Sequence, residues 1–382
     1  MPQLDLNTYR KVASGKRLPG FVRAGRRRVG VKDLSSLDIG QLWALHDDAD
    51  EKRSVEYGVS LLDLKIELAH RILADCVLCE RRCQVNRIKG EKGFCGVGHG
   101  SNYFFDDILW GEEPPLVPSH EVLFSGCNMR CSYCYSWESV LDTAHGRQFV
   151  PEGFARTVDC RKSDGATNLN LLGGEPTVHL RAILEMLKHI SCRTAVVWNS
   201  NFCMSDVTMR LLRGIVDLYV GDFRFGNDRC ARELADTDGY FAAAARNFMT
   251  AAASGDLIIR HLVIPGHIEC CLLPVARWVS EHLPEVPFNL MFQYIPCHRA
   301  LNDTSIGRSL SPAEEERARE IVSSFNLDTE RWKRPIATNA KKTSDSSRDV
   351  EVTITIRPDG RVGIMRLHGE LLELVEALRG GE

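Results

Sequence analysis

Three cysteines spaced C-x3-C-x2-C, Cys127, Cys131 and Cys134, directly follow a short apolar run, Val122-Leu123-Phe124. Four thiolates normally close a zinc or iron–sulfur site. A group of three leaves one coordination position open, which is the layout of a reactive centre rather than of a structural staple. A second group, Cys76, Cys79, Cys83 and Cys95, lies just upstream and is interleaved with Arg81, Arg82, Arg87, Lys89 and Lys92. Four thiolates within so short a span close one four-coordinate site, and Gly90, Gly93 and Gly96 let the backbone fold tightly around it. Zinc and an iron–sulfur cluster fit this second group equally on spacing.

The rest of the composition narrows the setting. Among 382 residues the net charge is −3, which gives no electrostatic reason to expect nucleic acid or a membrane surface as partner. No apolar run approaches the roughly 18 residues of a spanning helix, and Met1–Arg10 has no signal-peptide core. A cytoplasmic protein is expected, and there clustered thiols bind metal or do chemistry more often than they form disulfides. Seven further cysteines, Cys160, Cys192, Cys203, Cys230, Cys270, Cys271 and Cys297, are scattered and read as small buried hydrophobes. Cys270, Cys271 and Cys297 stand out within that set because they flank strands that open toward a site.

Residues 1–70 read as an N-terminal helical extension, and 71–105 as the four-cysteine segment. Arg23, Arg26, Arg27 and Arg28 suggest a solvated loop, whereas Ser60 and Asp63 cap a helix through Leu73. From 106 to 300 apolar runs alternate with helical patterns, the mark of βα units and a parallel sheet. Strands are expected at Glu121–Phe124, Asn168–Leu172, Ala195–Asn199, Val216–Asp222, Leu257–Val263 and Pro287–Phe292. Helices are expected at Leu180–Ile190, Val207–Gly214, Phe241–Ala252 and Leu273–His282. Six strands are fewer than the eight of a closed barrel, so an open partial barrel or a doubly wound sheet is expected, with ligands at the carboxyl ends of the strands.

Polar residues stand at those ends: the three cysteines, then Gly173-Gly174-Glu175-Pro176, Asn199-Ser200-Asn201, Asp222-Phe223-Arg224, Arg260-His261 and Gln293-Tyr294. Residues 301–382 read as a small α+β accessory lobe. It starts with a helix capped at Ser311-Pro312-Ala313-Glu314 and continues through a polar linker at 338–349. A hairpin follows at Val350–Ile356 and Arg361–Leu367, turning at Asp359-Gly360, and a helix at Glu370–Leu378 closes the chain.

The cysteine triad with Gly173-Gly174-Glu175-Pro176 one strand later resembles the radical S-adenosylmethionine (SAM) superfamily. That resemblance implies a partial (β/α)6 barrel and a [4Fe-4S] cluster on Cys127, Cys131 and Cys134, whose open iron takes the amino and carboxylate groups of SAM. It implies reductive cleavage of SAM to methionine and a 5′-deoxyadenosyl radical that abstracts hydrogen from a substrate, and a one-electron donor such as flavodoxin or ferredoxin. By the same resemblance Gly173, Gly174 and Glu175 would receive the SAM ammonium. Asn199, Ser200 and Asn201 would lie near the ribose and methionine, and Arg260 or His261 would face the carboxylate or ribose.

Together Cys76–Cys95, Phe124-Ser-Gly-Cys127, Val197-Trp-Asn-Ser200, Asp222-Phe-Arg224 and Arg260–Gly266 look like the branch related to pyruvate formate-lyase activating enzyme. The segment Glu113–His120 lacks the Gly-Pro-Gly-x-Arg stretch of glycyl-radical activases, so the resemblance does not carry their substrate over. An oxidoreductase acting on a protein or peptide, or on a small molecule, is the expectation. An iron–sulfur redox relay that does not cleave SAM is the alternative, and Gly173–Glu175 argue against it.

Overall fold

A computed structural model describes residues 6–51, 55–327, 354–356 and 362–364. The strands of its main sheet are β1 (Asn102–Leu109), β2 (Ser119–Phe124), β3 (Arg147–Gln148), β4 (Asn168–Gly173), β5 (Ala195–Ser200), β6 (Leu218–Asp222), β7 (Asp256–Leu262) and β8 (Phe288–Met291). They stand side by side in the order β3-β1-β2-β4-β5-β6-β7-β8. From β2 through β4 to β8 every pairing is parallel and follows chain order. These six strands are the six expected, displaced by at most two residues at either end. The fold is a mixed α/β partial barrel. The sheet departs from expectation at one edge, where β1 runs antiparallel to both β2 and β3. Chain composition explains the omission, because β1 is only partly buried along its length and carries Asp106 and Asp107 in place of a clean alternation.

The helices are α1 (Asn7–Ala13), α2 (Gly20–Arg26), α3 (Ile39–Glu51), α4 (Leu61–Ile72), α5 (Trp137–Leu141), α6 (Pro151–Ser163), α7 (Leu180–His189), α8 (Asp206–Leu212), α9 (Asp228–Ala235), α10 (Tyr240–Ser254), α11 (Leu273–His282) and α12 (Pro312–Ser324). Ser60 and Asp63 form a reciprocal capping box on α4, and Ser311 and Glu314 form one on α12, as their spacing predicts. The arginine run expected in a loop instead includes the end of α2, which buries Phe21 and Ala24 while Arg23 and Arg26 face solvent. The linker, the Asp359-Gly360 turn and the closing helix lie outside the described residues. Of the hairpin, Ile354–Ile356 and Val362–Ile364 pair antiparallel.

Strand alternation sorts the sheet into two faces. Val122, Phe124, Leu169, Leu171, Val196, Trp198, Tyr219 and Ile259 join the large core beneath the helices. On the opposite, concave face, Ala195, Val197, Leu218, Val220 and Ile258 pack against Leu6, Tyr9 and Val12 of the N-terminal segment. Tyr9 is anchored there by Asn168 Nδ2, which donates to its hydroxyl at 2.7 Å, and by its own amide donating to Asp256 at 2.7 Å. The α1 segment thus covers the amino-terminal floor of the barrel, opposite the carboxyl end of the strands.

Gly221, on β6, faces a stack of Phe202 and Phe248 whose ring centroids are 4.2 Å apart. A Cβ at this position would lie 2.5 Å from both rings. Gly221→Ala is expected to lower the thermal midpoint by several degrees, at the cost of about 1–3 kcal/mol typical of overpacking. Anaerobic circular dichroism melts check this.

Candidate active site

A cavity of about 540 Å³ opens at the carboxyl end of the strands. Cys127, Cys131 and Cys134 line it, together with Gly173, Gly174, Asn201, Arg224 and Leu262, and its outer wall carries Tyr135, Trp137, His298 and Arg299. Its size is within the usual range for a small-molecule cofactor site. The cysteine loop is held from several sides. The Gly126 amide donates to Val140 O at 3.0 Å. The Arg130 and Ser132 amides donate to Ala235 O and Leu234 O, at 3.0 and 2.7 Å, at the end of α9. Asn128 is fully buried, accepts from Asn201 Nδ2 at 2.7 Å and donates to Cys203 O at 3.1 Å.

Burial pushes all three thiols upward, Cys134 to about 12. For Cys131 the nearby Arg224 guanidinium, with Nη1 4.0 Å from the sulfur, opposes that rise. These thiols stay protonated at neutral pH until a metal displaces the proton. The Arg224 guanidinium is itself aimed by Asp222, which accepts from Nη2 at 2.5 Å.

The Gly-Gly-Glu-Pro turn makes the inner wall. Gly173 adopts φ +110°, and a Cβ on Gly174 would lie 2.0 Å from Gly126 O, so the β4 end and the cysteine loop touch backbone to backbone. Glu175 follows but does not line the cavity. Its fully buried carboxylate accepts from Thr177 N and Oγ1 at 3.1 and 2.6 Å, from Ser200 Oγ at 2.8 Å and from Asn201 N at 3.0 Å. Burial raises its pKa and these donors counter the rise only in part. Glu175 therefore ties the ends of β4 and β5 together. His179, after that turn, contacts Ser125 O through Nε2 at 2.7 Å, and burial holds its pKa at about 3, so the neutral ring donates.

The other expected residues divide. Asn201 reaches the cavity, and its Nδ2 is 3.8 Å from Cys127 Sγ. Ser200 is turned to Glu175, and Asn199 is buried, its Nδ2 without a hydrogen-bond partner among the described residues. Arg260 and His261 are not among the lining residues. Arg260 points into the barrel below Leu262, where Nε donates to Glu113 Oε1 at 2.8 Å and Nη2 pairs with both Glu112 and Glu113. Asn289 Nδ2 also donates to Glu113, at 2.7 Å. Burial alone would raise the Glu113 carboxyl, but Arg260 outweighs it and holds the group at about 2. His261 alternates to the opposite face, with Nδ1 2.6 Å from Phe223 O, and burial lowers its pKa to about 4. Two adjacent strand residues cannot both face one cavity. Met129, Tyr133, Trp137, His298 and Arg299 also line the cavity and are not among the expected residues, although the aromatic spacing Tyr133-x-Tyr135-x-Trp137 beside the third cysteine is a usable signal. Trp137 stacks on His298 at 4.7 Å.

The first cysteine group abuts this loop. Arg81 and Arg130 share the ring of Phe94, at 3.3 and 4.3 Å from its centroid. Arg81 Nε donates to Asn128 O at 2.8 Å, and Arg130 Nη1 donates to Cys127 O at 2.8 Å. Within the group, a Cβ on Gly93 would lie 2.5 Å from Cys83 Sγ, so only glycine lets the chain pass over that thiol.

The profile of the Radical SAM superfamily matches residues 122–279. An uncharacterized protein of Methanocaldococcus jannaschii, MJ0674, is 36% identical over 315 residues, covering 78% of this chain and 92% of its own. Among solved structures, a radical SAM methyltransferase from Sphaerobacter thermophilus superposes with TM-score 0.40 at 14% identity, over 78% of this chain and 93% of that one. Streptococcus suis SuiB bound to precursor peptide SuiA gives TM-score 0.40 at 14% identity, over 52% of this chain, which spans 43% of SuiB. The chain belongs to the radical SAM superfamily, whose members use a [4Fe-4S] cluster and SAM. The residues present fit that pair: three clustered thiols, a wall without side chains at Gly173 and Gly174, and a cavity to hold the ligand. Among the described residues no helix is long and apolar enough to cross a membrane.

Arg260→Ala removes the cation shared by Glu112 and Glu113. It is expected to destabilise the chain by about 3–5 kcal/mol. Urea unfolding checks this, and in whatever folded fraction survives the apparent affinity for SAM is expected to change less than about threefold.

Proposed function

We propose that the chain cleaves SAM reductively at Cys127, Cys131 and Cys134 and uses the resulting radical to modify a protein or peptide, in the manner of the activating-enzyme branch. The cavity and its rim carry this reading. Met129, Tyr133 and Trp137 offer apolar and aromatic surface suited to an adenine ring, beside Asn201 and the Gly173–Gly174 backbone. When bound, the cluster and SAM supply the electron transfer and the 5′-deoxyadenosyl group. The protein's share is to hold the thiols, present backbone acceptors to an ammonium group and keep Arg224 beside Cys131. On the cavity wall Tyr135 is 56% exposed. An exposed aromatic side chain beside an open cavity suits a polypeptide better than a small polar metabolite.

Within the same proposal, Cys76, Cys79, Cys83 and Cys95 hold a second iron–sulfur cluster. Four thiolates suffice to hold such a cluster, and the segment packs against the cysteine loop through Arg81, Phe94 and Arg130. A flavodoxin or ferredoxin serves as electron donor, and the chain works in the cytoplasm.

Protein purified without oxygen, reconstituted, reduced with dithionite and given SAM is expected to release 5′-deoxyadenosine. Replacing Cys127, Cys131 and Cys134 by alanine is expected to abolish that release, and release from the triple variant would sink the assignment. A folded, iron-loaded protein that releases none would instead favour a redox relay. Iron analysis is expected to give about eight irons per chain, falling to about four in Cys79→Ser/Cys83→Ser; four irons in the unaltered protein would exclude the second cluster.

A further inference from the structure

A separate group of sulfur and nitrogen ligands lies on two other βα loops. Cys230 is on the first turn of α9, and His267, Cys270 and Cys271 belong to the turn between β7 and α11. The ligand atoms of all four lie within 4.8 Å of one another. Cys230 Sγ is 3.7 Å from Cys270 Sγ. His267 Nδ1 is 3.4 Å from Cys270 Sγ and 3.9 Å from Cys271 Sγ. A tetrahedral zinc ion with Zn–S near 2.3 Å and Zn–N near 2.0 Å separates its ligands by about 3.5–3.8 Å.

Local structure explains how adjacent cysteines reach one point. Neighbouring side chains on a regular α-helix diverge. Residues Ile268–Leu272 instead form a π-helical turn, whose wider winding brings both sulfurs toward His267. The opposite loop is shaped to meet them. A Cβ on Gly226 would lie 2.6 Å from Cys271 O and 2.8 Å from Cys270 O, so glycine permits the approach. Asn227 Oδ1 accepts from the Cys230 amide at 2.9 Å, and its Nδ2 donates to Cys270 O at 2.7 Å and lies 3.3 Å from Cys230 Sγ. Such outer donors orient metal-bound sulfur.

We propose that Cys230, His267, Cys270 and Cys271 form a closed zinc site, distinct from both iron-binding groups. Four protein ligands leave no open position, so its role is structural. The helix it fixes is α9, whose terminal carbonyls hold the Arg130 and Ser132 amides of the cysteine loop. Zinc thereby pins the β6–α9 loop to the β7–α11 turn and steadies the support of the active-site loop.

The test uses the full chain, purified anaerobically without chelators, with zinc counted by mass spectrometry and its surroundings read by X-ray absorption at the zinc edge. About one zinc per chain is expected, with three sulfur neighbours and one nitrogen. The count is expected to persist in the Cys127→Ala/Cys131→Ala/Cys134→Ala variant, so it stands or falls separately from SAM cleavage. Cys270→Ser and His267→Gln are each expected to lower zinc occupancy at least about tenfold under competing chelator. If those variants fail to accumulate, the absorption spectrum of the unaltered protein still decides. No zinc, an all-sulfur shell, or a Cys230–Cys270 disulfide in the anaerobic protein would overturn the assignment.

Discussion

The buried carboxylate of Glu175 is the group on which the geometry of the cavity depends. Placing a carboxylate fully inside a protein costs several kcal/mol unless donors replace its water. Here Thr177 supplies an amide and a hydroxyl, Ser200 a hydroxyl and Asn201 an amide. The donors come from the turn after β4 and the end of β5, so satisfying one charge sets the position of two strand ends. Asn201, fixed in this way, then reaches across to Asn128 and Cys127. The chain of contacts runs from carboxylate to strand end to cysteine loop without passing through solvent. Gly174 against Gly126 O completes the contact on the other side, where no side chain fits.

Above that clasp the loop depends on neighbours remote in sequence. Phe94, from the first cysteine segment, lies between the guanidinium groups of Arg81 and Arg130, and both arginines donate to carbonyls of the loop itself. Two cations on one ring are tolerable because each also meets carbonyl oxygens, including Asp236 O for Arg81 and Phe94 O for Arg130. The four-cysteine segment is therefore part of the scaffold of the active-site loop, whatever metal it carries.

Much of this was legible in the sequence where the determining contacts are local. The parallel strands β2 and β4–β7 are buried along most of their length, so each carries a short apolar stretch that stands out. The cysteine spacings are local for the same reason: the ligands lie on one loop. The strand β1 escaped because it is half-exposed and interrupted by Asp106 and Asp107. The helix α9 escaped because its buried side is only Cys230, Ala231, Leu234 and Ala235 in an otherwise charged stretch. Alternation alone requires Arg260 and His261 to face opposite ways, but nothing in their own segment shows that Glu112 and Glu113 claim the arginine. For the same reason Cys230 reads alone as a small hydrophobe; only the fold brings it to His267, Cys270 and Cys271.

The interior of the barrel is layered, and the layering explains why the cavity lies toward the carboxyl end of the strands. At the amino-terminal end, Leu6, Tyr9 and Val12 meet the apolar residues of β5, β6 and β7 and seal the floor. Above them lies a polar layer in which Arg260 pairs with both Glu112 and Glu113, and Asn289 donates to Glu113. A charge network of this kind tolerates little displacement, because separating one partner strands the others in a medium of low dielectric. The chain thus places a buried ion-pair layer under the cavity, while Tyr135, Trp137, His298 and Arg299 line the rim. The rim is itself tied to the cysteine loop, because Arg299 donates to Arg130 O, the Ala300 amide to Ser132 O and Cys297 Sγ to Tyr133 O. That loop is therefore held from below by the sheet, from one side by α9 and from the other by residues 297–300.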